Sequence, residues 1–376
     1  MVRISAECET FKQTYFPDAT SDNWSNWKWQ LQNRIRTPSA LQQIFDLNSS
    51  ESKALSQLGS TLPVSITPYY ASIVLSKERP SNLRKTIIPS AEEFDIQPEE
   101  MRDPLLEEKQ SPTKCIIHRY PDRLVFLTSP LCPVYCRYCT RSRLVGMTVN
   151  KMTRDDWDAG LDYIKSRSEV REVIVSGGDP LLLTNSRLEY LLSELRKIPH
   201  IQIIRISTKM PVVLPQRITS PLVTILKKSV PIYVNIHVVH PAELSLESDI
   251  AINKLIEGGV ILGSQTVLLR DVNDELLVMK ELMERLLTKR IRPYALYQCD
   301  LTQGLGHFRT SIQTGLDLMA GLRRYTSGFA IPQYIADPPG GKVSLNPNSI
   351  VSTNATGHVL KNWEGKNVSY PDVRTV

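Results

Sequence analysis

From about residue 123 onward, short apolar runs alternate with longer stretches in which apolar residues return every three or four positions. The runs 123–129, 172–176, 201–208, 232–240, 260–269 and 291–298 are mostly rich in valine and isoleucine and nearly continuous in apolar character. That is the pattern of parallel strands buried on both faces. Between them, 154–166, 186–197 and 274–288 carry helical periodicity. Strand, helix and strand in succession predict right-handed crossovers. Six such units predict an α/β fold, a TIM-like partial (β/α)6 barrel, with a doubly wound open sheet as the rival. Residues 1–110 read instead as a polar helical region. There Trp24, Trp27 and Leu31 recur at three- and four-residue steps, predicting an amphipathic helix whose apolar stripe packs on the main domain or on another subunit. The division is then a helical region over 1–110, the barrel with its chemistry over 111–345, and a short extension over 346–376.

In a barrel, reactive side chains stand at the C-terminal ends of the strands. The first candidate strand leads directly into Cys132, Cys136 and Cys139, a C-x3-C-x2-C spacing. Three thiolates this close can hold three irons of a [4Fe–4S] cluster and leave the fourth iron open. A zinc knuckle, an electron-carrying cluster and buried thiols that happen to be close are the alternatives. The spacing resembles that of the radical S-adenosylmethionine (SAM) enzymes, in which SAM chelates the open iron and an aromatic residue before the third cysteine lies near the adenine. Tyr138 holds that place here.

The second strand closes on Gly177, Gly178 and Asp179. The glycines let backbone approach a ligand, and the carboxylate can accept from an ammonium. Beside a SAM-binding cluster, that ammonium is the SAM amino group; a glycine turn with an aspartate cap is the alternative. Near the C-terminus Lys342 follows Gly340 and Gly341. A lysine beyond a glycine turn can form a Schiff base with an aldehyde cofactor, or it can be an ordinary surface lysine. Asp300 ends the sixth run, and with Asp337 it can pair with a cationic substrate group.

Composition narrows the class. The chain has 376 residues, 41% hydrophobic and 22% charged, with a formal charge of +6 and no basic block interleaved with aromatics, so nucleic acid is not an expected partner. No run approaches the roughly 18 apolar residues that span a bilayer, and the first ten residues lack the apolar stretch of a signal peptide. Six cysteines, three of them clustered, argue against a disulfide framework and for a reducing cytoplasm. Cys8, Cys115 and Cys299 read as ordinary buried residues.

Longer strings carry a more specific likeness. They are 24–35, His118 to Arg123, Cys139 to Arg143, Pro211 to Thr219, Tyr297 to Leu301, His307 to Thr310, Thr326 to Gly328 and Asn362 to Gly365. Together they resemble the lysine 2,3-aminomutase family, radical SAM enzymes that also use pyridoxal 5′-phosphate (PLP). The resemblance implies that Lys342 carries PLP, that Arg141 binds the substrate carboxylate, and that Asp300 and Asp337 bind its distal ammonium. Arg119 and Arg123 become candidates for the PLP phosphate, and His237 and Gln265 for SAM. The implied reaction is a 1,2-amino shift on L-lysine giving β-lysine, with arginine as the alternative substrate and a non-catalytic iron–sulfur carrier as the rival of another class. An electron donor such as flavodoxin or ferredoxin and a homo-oligomer are implied as partners. Two features depart from the family pattern. The loop before Lys342 is shorter and poorer in glycine, although Pro347 and Asn348 keep the register. No cysteine follows Cys299, so no zinc is expected.

Overall fold

The valine- and isoleucine-rich runs form strands because their β-branched side chains pack on a pleated surface. The computed structural model describes residues 4–57, 62–76, 82–147, 151–346, 350–354, 357–362 and 365–371. Pro347 and Asn348, and Trp363 and Glu364 of the last string, lie outside them. A hairpin, β1 (Ile116–Tyr120) and β2 (Arg123–Leu127), opens a nine-stranded sheet in strict chain order. β3 (Glu172–Ser176), β4 (Ile203–Thr208), β5 (Ile232–His237), β6 (Ile261–Leu268), β7 (Arg292–Gln298) and β8 (Gln333–Ala336) run parallel to β2, and β9 (Val343–Ser344) returns antiparallel. Helices such as Arg154–Lys165, Asn185–Arg196 and Leu276–Thr288 link successive strands.

The six expected strands are present, 172–176 at its expected bounds and the others trimmed at an end, and β8 adds a seventh parallel strand that sequence periodicity had not separated. No ladder joins β1 to β9. The seam is bridged by side chains instead. Arg119 of β1 pairs with Asp337 after β8 at 2.7 Å, and the Tyr120 hydroxyl accepts from the Lys342 amide at 3.0 Å. The sheet is therefore curled into a partial barrel.

The strands are not apolar on both faces. Val173, Val175, Ile204, Ile206, Val234 and Ile236 point to the helices and are fully buried. Arg123, Glu172 and Arg205 alternate with them and line a cavity on the concave side. An unclosed barrel keeps a wet lumen, so its inner positions can stay polar.

The segment expected as one helix is two, Ser21–Ser25 and Trp27–Gln32, broken at Asn26. Asn26 adopts an extended backbone and its side chain accepts from the Lys28 amide, capping the second helix. Trp24 is 1% exposed, buried among Phe11, Phe16 and Trp29. It is thus not available for the subunit contact considered from sequence.

The N-terminal region also shares its core with the barrel. The buried helix Pro68–Val74 is tied down by Thr67 to the Val213 carbonyl, Tyr69 to Ser245 and Tyr70 to Glu243. Beyond residue 346, β10 (Ile350–Asn354), β11 (Gly357–Lys361) and β12 (Asn367–Pro371) form a separate antiparallel sheet.

Candidate active site

The three cysteines sit on the loop that leaves the C-terminal end of β2. Backbone contacts set this loop. The Gly178 amide donates to the Ser129 carbonyl at 2.5 Å and the Asp179 amide to the Leu131 carbonyl at 2.9 Å. Gly177 has φ +121°, and a Cβ on Gly178 would lie 2.2 Å from the Leu131 oxygen. The glycine pair therefore lets the cysteine loop lie directly on the turn after β3. The backbone that the glycines admit here is the protein's own, and both glycines also line a cavity of about 230 Å3. Gly178→Ala is expected to cost roughly 1–3 kcal/mol and to displace Leu131 and Cys132. A lower melting temperature together with iron uptake well below that of the parent would show it, and unchanged iron content would count against it.

From the other side the N-terminal region holds the same loop. Arg34 donates to the Cys132 carbonyl at 3.3 Å, the Tyr135 amide to the Ser65 carbonyl, and Arg137 pairs with Glu93. Burial pushes the Cys139 thiol up to about 12, and it pushes Cys132 and Cys136 up as well, with neighbouring thiols adding to the effect at Cys132 and Cys139. Thiolates so disfavoured alone need strong cationic ligation. Among the described residues no three Cys, His, Asp or Glu side chains meet as one metal ion requires. Three separate irons of a cluster, each taking one thiolate, fit this spacing.

Asp179 is not an open acceptor. Its buried carboxylate accepts from Thr208, the Lys209 amide and the Leu181 amide. The capping role is what the structure gives it, in place of a free ammonium ligand. His237, at the end of β5, and Gln265, within β6, are brought together as register partners. Burial and the nearby Lys209 ammonium push His237 down to about 4, so it is neutral at physiological pH. Tyr138 is buried edge-on to Phe308, 6.3 Å between ring centres. Sequence reasoning missed Lys209, whose ammonium is held by buried Glu243 beside Tyr70.

The largest concentration of charge lies nearer the seam. A cavity of about 300 Å3 is lined by Arg119, Arg123, Arg141, Arg205 and Lys342, with Glu107, Glu172 and Asp337 as the carboxylates. Five cations against three anions suit a dianionic phosphate. Lys342 donates from Nζ to the Tyr297 hydroxyl at 3.0 Å. Burial opposes its charge, but Tyr297 and Asp337 outweigh it and hold its pKa above the ordinary lysine value.

Arg119 is engaged by Asp337 and by the carbonyls of Pro338 and Pro339, while Arg123 pairs with Asp122 and lies 4.1 Å over the Tyr120 ring. Asp300 accepts from Thr140 and is pushed up to about 6 by burial, with Asp337 and Glu107 adding repulsion. Arg141 is paired with Glu107 at 2.7 Å. Thr140, Glu107 and Tyr297 were absent from the sequence-derived site. Thr140, between Cys139 and Arg141, and Tyr297, at the end of an apolar run, carried a positional signal, and Glu107 carried none.

Comparison with known proteins adds an independent line. Residues 319–375 match the family model described as Lysine-2,3-aminomutase, and residues 126–279 that of the Radical SAM superfamily. The L-lysine 2,3-aminomutase of Clostridium subterminale is 42% identical over 359 residues, 95% of this chain and 86% of that protein. That of Methanococcus maripaludis is 44% identical over 358 residues, 94% and 83%. The glutamate 2,3-aminomutase of Clostridioides difficile is 39% identical over 357 residues, 94% and 84%.

Proposed function

This chain belongs to the lysine 2,3-aminomutase family of radical SAM enzymes, and we propose that its own substrate is L-lysine, converted to β-lysine by transfer of the amino group from C2 to C3. It is an isomerase that works with a [4Fe–4S] cluster, SAM and PLP. The observation that carries the substrate reading is the placement of Asp300 and Asp337 within each other's field, with Lys342 beside them and Arg141 on the same cavity as Asp337 and Lys342.

A substrate with a carboxylate at one end and an ammonium at the other is complementary to that layout. Arg141 takes the carboxylate, since a guanidinium matches its planar fork. Asp300 and Asp337 take the distal ammonium, which neutralises two carboxylates that otherwise repel. Glutamate would set a third carboxylate against them, so the charge count disfavours it. Arginine keeps the charge but needs a longer, planar site.

When bound, the cluster and SAM supply the radical that removes and returns hydrogen, and PLP supplies the aldehyde that holds the migrating nitrogen. Cys132, Cys136 and Cys139 would hold the cluster. His237 and Gln265 are assigned to SAM, with Tyr138 near the adenine. Lys342 would hold PLP, and Arg119 and Arg123 its phosphate. A phosphate drawing on Arg119 would free Asp337 for the substrate ammonium. Tyr297 keeps the Lys342 amine in place, and its hydroxyl can take or give a proton at Nζ.

Family membership sets aside the reading as a non-catalytic carrier. Among the described residues no helix is long and apolar enough to cross a membrane. Flavodoxin or ferredoxin as electron source and a homo-oligomeric state belong to the same proposal, resting on the family resemblance. The test is an anaerobic assay of reconstituted protein with SAM, PLP and reductant, offering lysine, arginine and glutamate separately. β-Lysine as the main product is expected; β-arginine in its place would move the substrate and keep the reaction.

A further inference from the structure

Arg141 does not stand alone on the cavity wall. Its Nε donates to both carboxylate oxygens of Glu107 at 3.1 Å, and Nη2 to Oε1 at 2.7 Å. Its remaining nitrogen, Nη1, reaches only the Ser176 hydroxyl among the described residues, at 3.3 Å. Glu107 is 5% exposed and also accepts from Arg143, whose side chain is itself buried and paired with Asp103. Arg141 and Arg143 outweigh the burial of Glu107 and hold its carboxyl below the ordinary range, so it stays ionised.

A guanidinium offers two bidentate edges. Here the Nε–Nη2 edge is consumed by Glu107, while Nη1 is held only by a neutral hydroxyl. Arg141 is also the wall shared by the Lys342 cavity and a second, more apolar cavity of about 230 Å3 lined by Leu127, Gly177 and Gly178. Arg143, itself balanced by Asp103 and Glu108, steadies Glu107 from its other side.

We infer that Glu107 is a positioning residue for substrate binding: it grips Arg141 by one edge and, with Ser176, turns the Nη1 side to the carboxylate of the amino acid. The inference rests on the assignment of Arg141 to that carboxylate.

The test compares Glu107→Gln and Arg141→Ala with the parent in reconstituted enzyme. KM and kcat for lysine would be measured, together with binding of lysine and of 1,5-diaminopentane, which lacks the carboxylate, read from the absorbance of bound PLP. Loss of one charge-assisted contact is expected to raise the KM of the Gln variant about ten-fold or more, with kcat changed far less. Diamine binding should match the parent, because only the carboxylate contact depends on Arg141. Weakened diamine binding would mean general damage at the site and overturn the role. An unchanged or lowered KM in the Gln variant, with Arg141→Ala still raising it, would overturn the role of Glu107 alone. An unchanged KM in Arg141→Ala would overturn the carboxylate assignment beneath it.

Discussion

Lys342→Ala is expected to lose covalently held PLP and to lower aminomutase turnover by about three orders of magnitude or more, the scale seen when a covalent-catalysis residue is removed. Lys342 stands beyond β8, the Tyr120 hydroxyl fixes its amide from the opposite side of the seam, and Tyr297 fixes its Nζ. Arg119 fastens the loop before it through the carbonyls of Pro338 and Pro339. These anchors hold a loop that is short of glycine and leave the amine facing a cavity with an excess of cations. Among the described residues no other lysine lines that cavity. Borohydride reduction followed by peptide mass analysis should place the pyridoxyl group on the Lys342 peptide in the parent and on none in the variant. Iron content should not change, since the cysteine loop is held by other contacts. Because Asp337 and Tyr297 keep the amine protonated, PLP loading of the parent should accelerate as pH rises through the neutral range. A pyridoxyl group on another lysine, or a variant that keeps its turnover, would sink the assignment.

What could be read from sequence follows from how far apart the interacting residues lie. Runs such as 172–176 announce themselves by composition; that one keeps its expected bounds, and the structure trims the other five by one to three residues at an end. β1 was missed because Ile116 and Ile117 are followed by His118, Arg119 and Tyr120, too polar to read as a buried strand. β8 was missed because it has only four residues. Yet these two strands carry Arg119 and lead to Asp337, the pair that bridges the seam.

The three cysteines and Lys342 were legible because spacing or a glycine turn marks them. Their partners were not. Thr140 meets Asp300 across 160 residues of chain, and Tyr120 meets Lys342 across 222. Glu107 lies in a polar stretch where a lone carboxylate reads as a solvated face. Gly177 and Gly178 were noticed for close backbone approach, and the element that lies against them is the cysteine loop. Local pattern showed that something must come near, and only the fold showed what.

Asp300→Asn should separate the cost of the site from its use. Asp300 is pushed up to about 6 from an ordinary 3.8, first by burial and then by Asp337 and Glu107. A carboxyl whose folded pKa lies above its unfolded one binds protons more readily in the native state, so stability falls as pH rises through that window. Near neutral pH the charge therefore costs roughly 2–3 kcal/mol. Asparagine keeps the shape and can still accept from Thr140, but it carries no charge. The variant lacking bound substrate is expected to melt a few degrees above the parent at neutral pH, and the two should converge as pH approaches 4. Function should move the other way. The distal ammonium loses one of its two carboxylates in a desolvated site, and KM for lysine should rise by about two orders of magnitude. In the parent the same rise should appear as pH drops below about 6, because protonation does there what the substitution does everywhere. KM of the variant should lack that acid limb. A stabilised variant with normal KM would leave Asp300 a strained buried acid with no ammonium to hold. A raised KM without any gain in stability would show that Thr140 and the surrounding dipoles already offset the burial of its charge.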